Sequence, residues 1–345
     1  MMKRIAYSNL DACFAAIAET KTLYLPAADG ADEKRGAKYT KWTPEVSYAC
    51  DAVNTVRSAK DFFFPQVEHM TNFKVEGKTI EIEDIREECE DFVVFGVRAC
   101  DAASFEILDS VYLAEPVDSY YQNRREHGII ITMACTRPSE TCFCSVFGID
   151  AARPAGDISC WKDGDYVLMQ ANTEKGESLL SLLPMLEDAS EDAADHVIAS
   201  IETTLEKLPL KNLSTDAFGG DKLMQLFQAD KWAELSESCL GCGTCTFVCP
   251  TCQCYDIRDF DTGHGIQRFR CWDSCMYWDF TKTAGGQPRP SQLERFRQRF
   301  MHKLVYYPAN NDGRFGCVGC GRCMKSCPIS MNIVKVMKTL GEDHE

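Results

Sequence analysis

No stretch of this 345-residue chain approaches the 18 consecutive apolar residues of a membrane-spanning helix. The N-terminus, MMKRIAYSNLDACFAAIAETK, lacks the apolar core of a secretory signal, because Asp11 and Glu19 interrupt it. A lipid-anchor motif is also missing. Positive charge is scarce: 37 Lys and Arg face 52 Asp and Glu, a formal net charge of −15. A nucleic-acid backbone as partner requires the opposite sign. The six histidines are scattered, and there is no H-E-x-x-H, G-x-G-x-x-G or G-x4-G-K-[ST]. The sequence therefore shows no zinc-protease site and no nucleotide fingerprint. Together these absences predict a cytoplasmic protein with neither a membrane span nor a nucleic-acid partner. Its acidic surface suits docking onto basic patches of another protein.

Cysteine, by contrast, is abundant, with 20 in the chain. A disulfide framework belongs to small secreted domains, and this chain is long enough for two or three ordinary cores. In a reducing compartment the thiols remain available as metal ligands.

The cysteines divide the sequence. Eight are scattered before residue 170, where strand and helix patterns alternate. Ser8 is placed to cap a helix over 9–20, and TLYLP follows as a strand. NFKVEGKTIEIE (72–83) alternates around Glu76-Gly77-Lys78 as a hairpin does. DFVVFGVR (91–98) and GIIITMAC (128–135) are short apolar runs suited to buried strands, and DYVLMQA (165–171) is a third. Buried strands separated by helices predict an α/β domain with a mostly parallel sheet over 1–210. Residues 174–210 carry surface helices and the start of a linker. A mainly helical ferredoxin-like domain is expected over 211–345, which holds the other 12 cysteines.

Two runs in that second part carry the chemistry. Cys239, Cys242, Cys245 and Cys249 followed by Pro250 fit C-x2-C-x2-C-x3-C-P, and Cys317, Cys320, Cys323 and Cys327 followed by Pro328 repeat it. Three thiolates at even spacing wrap one face of a cubane in a tight loop whose glycines let the backbone come close. Structural zinc instead pairs C-x2-C units across a long loop. In two-cluster proteins of this pattern the fourth cysteine ligates the other cluster. The expectation is one [4Fe–4S] cluster on Cys239, Cys242, Cys245 and Cys327, and another on Cys317, Cys320, Cys323 and Cys249. With a cysteine on every iron, such clusters pass electrons and leave no open metal position for Lewis-acid chemistry.

Several residues lie outside this pattern. Cys252 and Cys254 form a C-x-C pair, as do Cys142 and Cys144, and two residues apart in extended backbone share a face. Cys271 and Cys275 have C-x3-C spacing, suited to one face of a helix. These six are candidates for an extra iron–sulfur or zinc site; the plainer reading makes them small buried hydrophobes. FGVRACDAA turns sharply after a buried strand, where α/β sheets bind ligands, so Cys100 and Asp101 are candidate pocket residues. Arg124-Arg125, Arg268/Arg270 and Arg295/Arg297/Arg299 are basic spots, read first as solvated faces.

FFFPQVE, FGVRACDA, SYYQNRREH, CFCSVFG, the doubled cysteine run, CPTCQCYD and WDSCM together resemble a family. It comprises the iron–sulfur beta subunits of sulfhydrogenases, the corresponding iron–sulfur subunits of anaerobic sulfite reductases, and related dicluster subunits of acetogen and sulfate-reducer complexes. The likeness spans nearly the whole chain, with Ala99 standing where the family often has proline. It implies an electron-transfer subunit of an anaerobic oxidoreductase complex. Such a subunit works between a flavin- and NAD(P)-binding ferredoxin-reductase-like partner and a second redox module, with ferredoxin as a further candidate partner. The resemblance also implies that Cys252, Cys254 and Cys275 are recurrent positions and Cys271 is not. It places flavin on the partner. The competing expectation is a catalytic reductase that binds flavin in its own N-terminal domain.

Overall fold

A computed structural model describes residues 2–28, 36–85 and 89–341. The chain divides into two compact units. The first comprises residues 1–63, 89–211 and 318–320, and the second residues 64–88, 212–317 and 321–345.

The first unit is built on an eight-stranded sheet. Its order is Glu187–Ala189, Met2–Ala6, Tyr166–Ala171, Ile158–Asp163, Gly128–Met133, Phe92–Val97, Thr22–Ala27, Lys38–Lys41. FVVFGV and GIIITM are buried at all six positions, as strands covered on both faces must be. The four strands from Ile158–Asp163 to Thr22–Ala27 are parallel. Every other pairing in the sheet is antiparallel, so the sheet is mixed and the mostly parallel expectation describes only its centre. One of those antiparallel pairings is a hairpin, between Ile158–Asp163 and Tyr166–Ala171, closed at Gly164 with its φ of 53°.

Two apolar cores flank this sheet. On one face the helix Leu10–Ala18 presents Leu10, Cys13, Phe14 and Ile17, an i, i+3, i+4, i+7 stripe, to Val93, Phe95, Ile131 and Cys160. Phe14 meets Trp42, Tyr48 and Phe95 edge-on. Ser8 is not its cap, because it lies within a 3₁₀ turn, Tyr7–Asn9, that leads into the helix. On the other face the helix Asp195–Leu205 packs Val197, Ile198 and Ile201 with Met2, Trp161 and Leu168.

The helical expectation for 211–345 holds in part: helices predominate there, but the second unit also contains a four-stranded antiparallel sheet in the order Tyr255–Asp261, Ile266–Trp272, Val67–Glu76, Thr79–Asp84. The predicted hairpin at 72–83 is therefore present, but its partner strands lie almost 200 residues further along. YDIRDFD is exposed along most of its length, and burial alternates only at the end of IQRFRCW, where Arg270 and Trp272 are buried and Cys271 between them is not. Arg270 is buried in this sheet with Glu68, Nε to Oε2 2.6 Å, and lies over the Phe64 ring. The helices of the unit include Lys231–Glu237, Ile333–Gly341 and Gln292–Met301. The last starts from a capping box between Ser291 and Glu294 and runs on into a π-turn, His302–Tyr306. No helix among the described residues is long and apolar enough to cross a membrane.

Candidate metal centres

The two cysteine runs adopt the same backbone. In each, the first two glycines are left-handed, Gly241 at φ 65° and Gly243 at 73°, then Gly319 at 59° and Gly321 at 77°. A short helix follows each, Thr244–Phe247 and Arg322–Ser326. The left-handed turn swings the chain so that cysteines three apart converge, which a β-carbon would oppose.

Cys239, Cys242, Cys245 and Cys327 line one cavity within the second unit, together with Met276, Phe296, Arg299, Ile329 and Met331. Three of these thiols come from the first run and one from the second. The surroundings suit a thiolate-bound cluster. The Gly241 amide and the Gln292 side-chain amide donate to Cys239 Sγ at 3.5 and 3.4 Å. The Thr244 hydroxyl, 3.4 Å from Cys242 Sγ, holds that thiol below its usual range. Cys245 goes the other way, pushed up by burial.

Cys249 lies in a more strongly polarised setting. The Cys252 thiol donates to it, and Lys303 and the Thr251 hydroxyl, 3.3 Å away, add to the effect, so Cys249 is held well below the ordinary thiol range. Cys317 and Cys323 are half-buried in the second unit. Cys320, which is buried, ends the segment Val318–Cys320 that packs within the first unit. There the Phe143 amide donates to the Gly319 carbonyl at 2.9 Å.

The remaining cysteines separate. Cys254 accepts from the Cys275 thiol, and this hydrogen bond brings its pKa down to about 7. Cys252 neighbours both Cys249 and Cys254. Cys271 stands apart: it sits in the strand Ile266–Trp272, across from Asp256, with Arg258 and Asp273 as its charged neighbours. The C-x3-C pair is thus not on one helix face, because its first cysteine is in a strand and its second follows the strand's end. Cys142 and Cys144 belong to the first unit, both buried, with the Asn54 amide 4.0 Å from Cys142 Sγ. Among the described residues, no three or more His, Cys, Asp or Glu side chains are gathered as one metal ion would need.

Cys100 and Asp101 open the helix Ala99–Tyr112 and are buried, Asp101 at 1% exposure. Ahead of them Arg98 is buried as well, donating to the carbonyls of Ala52 and Ala134 at 3.0 and 2.8 Å. The basic spots also differ from a solvated reading. Arg125 clamps Asp109 at 2.9 and 3.0 Å, Arg270 pairs with Glu68, and Arg299 is buried beside the cysteines. Motif and spacing do not single out Lys303. The signal for it lies in periodicity, since Phe296, Arg299, Phe300 and Lys303 fall at i, i+3, i+4 and i+7 on the buried face.

Comparison with known proteins agrees with this geometry. Residues 238–331 match the 4Fe-4S dicluster domain family. Over 295 residues the chain is 35% identical to sulfhydrogenase 2 subunit beta of Pyrococcus furiosus, covering 85% of each chain. The chain belongs to the sulfhydrogenase beta-subunit family. It is an iron–sulfur protein of oxidoreductase electron transfer. No solved structure matches it.

Proposed function

We propose that this chain carries two [4Fe–4S] clusters and relays single electrons inside a multi-subunit oxidoreductase. One cluster is held by Cys239, Cys242, Cys245 and Cys327, the other by Cys317, Cys320, Cys323 and Cys249. The observation that carries this reading is the cavity into which three cysteines of the first run and one of the second converge. Such crossed ligation keeps two clusters close enough to exchange electrons. When bound, each cluster supplies one-electron redox chemistry. The chain's own groups supply the thiolates, the amides that donate to sulfur, and the apolar wall of Met276, Phe296, Ile329 and Met331 that limits water.

In this reading the chain passes electrons between a flavin- and NAD(P)-binding partner and a second redox module of hydrogenase, transhydrogenase or sulfite reductase type. The relative's designation as a subunit supports assembly of this kind. Cys252, Cys254 and Cys275 form an additional thiol set: the Cys275 thiol donates to Cys254, and Cys252 donates to Cys249 with Cys254 beside it, which supports an extra iron–sulfur site.

Iron and acid-labile sulfide counts on protein prepared without oxygen test the reading. About eight irons per chain are expected for two clusters, with visible absorption that dithionite bleaches. Four or fewer would overturn it. Replacing Cys252 and Cys254 together with serine should lower the iron count only if the extra site exists. Stoichiometric flavin extracted from the isolated chain would favour a catalytic reductase instead.

A further inference from the structure

Among the cations buried in the second unit, Arg270, Arg299 and Lys303 have different surroundings. Arg270 has the Glu68 carboxylate against it. Arg299 and Lys303, at 3% and 5% exposure, have no carboxylate partner among the described residues. Taking a cation out of water without a counter-charge is costly, so an unpaired buried cation marks where negative charge belongs.

Their positions say which negative charge. Arg299 lines the cavity of Cys239, Cys242, Cys245 and Cys327, with its guanidinium carbon 4.3 Å from the Phe300 ring centroid. Its Nε is fully buried and donates to nothing. Lys303 Nζ donates to Thr251 Oγ1 at 2.6 Å and to the Gly316 carbonyl at 3.1 Å. Thr251 Oγ1 lies 3.3 Å from Cys249 Sγ, and Gly316 immediately precedes Cys317. One hydroxyl and one peptide unit thus join the ammonium to two proposed ligands of the second cluster. Arg299 and Lys303 are i and i+4 on one continuous helical run.

We infer that Arg299 and Lys303 are the built-in counter-charges of the two clusters and hold both reduction potentials up, Arg299 acting on the Cys239 cluster and Lys303 on the Cys249/Cys317 cluster. This rests on the two-cluster reading above. Four thiolates on a cubane leave it negative, and reduction adds one more negative charge. A fixed cation therefore stabilises the reduced state more than the oxidised one. Because both side chains are buried, mobile ions do not screen the effect. Both are positioning residues; neither ligates iron.

The test is a dithionite titration of the anaerobically prepared full chain, followed by EPR, for wild type, Lys303→Met, Lys303→Arg, Arg299→Met and Arg299→Lys. Each methionine variant should lower one potential by at least 59 mV, a tenfold change in the oxidised-to-reduced ratio at fixed potential, and should move the other less. The charge-keeping variants should recover most of that shift. Full iron with both potentials within about 18 mV of wild type, a twofold ratio change, would overturn the inference. Loss of iron in a methionine variant but not in its charge-keeping counterpart would support it. Equal loss in both would assign the residue to packing and overturn it. Wild-type protein with four irons or fewer would strike the two-cluster reading instead.

Discussion

The buried cysteines of the α/β unit and three cysteines of the metal-binding unit occupy opposite environments. Cys13 and Cys160 sit in the apolar core beside Phe14 and Ile17; burial pushes Cys13 up to about 12 and Cys160 well above the usual thiol range. Cys144 in the same unit is pushed to about 12, again by burial. Across the second unit Cys242, Cys249 and Cys254 are all held low, each by a hydrogen bond to its sulfur. Residue count does not distinguish the two groups. What separates them is whether donors or hydrocarbon surround the sulfur, since a thiolate needs the former. The second unit also holds raised thiols: Cys252 and Cys275, each donating to a neighbouring sulfur, and Cys271 and Cys245, raised by burial, the last of which still faces the cavity of the first proposed cluster.

The sharpest way to break this contrast is at a crossed ligand. Cys327→Ser should cut the iron content from about eight to about four per chain, read by iron and sulfide assay. Next in size is Gly319→Ala. A β-carbon there would lie 2.4 Å from the Phe143 carbonyl oxygen, at a φ of 59°. A destabilisation of about 3 kcal/mol or more is expected, measured by denaturant unfolding. Cys13→Ser tests the packing side: a hydroxyl buried in that core should cost about 1–3 kcal/mol and leave iron unchanged. Iron loss there would erase the distinction between the two units.

The smallest effect belongs to Asp91, which pairs with Lys21 at 2.5 Å and His127 at 2.7 Å on an exposed surface. Those hydrogen bonds hold its carboxyl below the usual range. Its contribution is therefore present above the unfolded carboxylate pKa and lost as pH falls through the lower folded value. Asp91→Asn should cost less than about 1 kcal/mol at pH 7, and the gap should close through the acid range in paired unfolding curves.

Much of this is legible locally. Unbroken apolar runs identify the strands Phe92–Val97 and Gly128–Met133, and cysteine spacing marks the two glycine-turned loops. The hairpin at 72–83 is also visible, but not its home. Phe73 finds Ile266 through strand pairing across almost 200 residues, and no local pattern encodes that distance. The helical expectation for the second unit misses its sheet for a simpler reason, because YDIRDFD and IQRFRCW alternate too weakly to announce strands. Arg299 looks solvated in FRQRF when charge is weighed before periodicity, yet Phe296 and Phe300 flank it on the buried face.

The π-turn at His302–Tyr306 makes the molecule unusually sensitive to length at one place. A π-turn holds one residue more than the α-helical turn it replaces, and each α-helical residue advances the chain by about 100°. Deleting a single residue there would leave Arg299 where it is. With the extra residue gone the turn would close as α-helix and the chain beyond Tyr306 would stay in register, while the position now held by Lys303 would shift away from Thr251 and Gly316. Insertions and deletions are tolerated in the loops around this helix far more readily than inside it, so the spacing of the two cations is fixed by reading frame as much as by side chain.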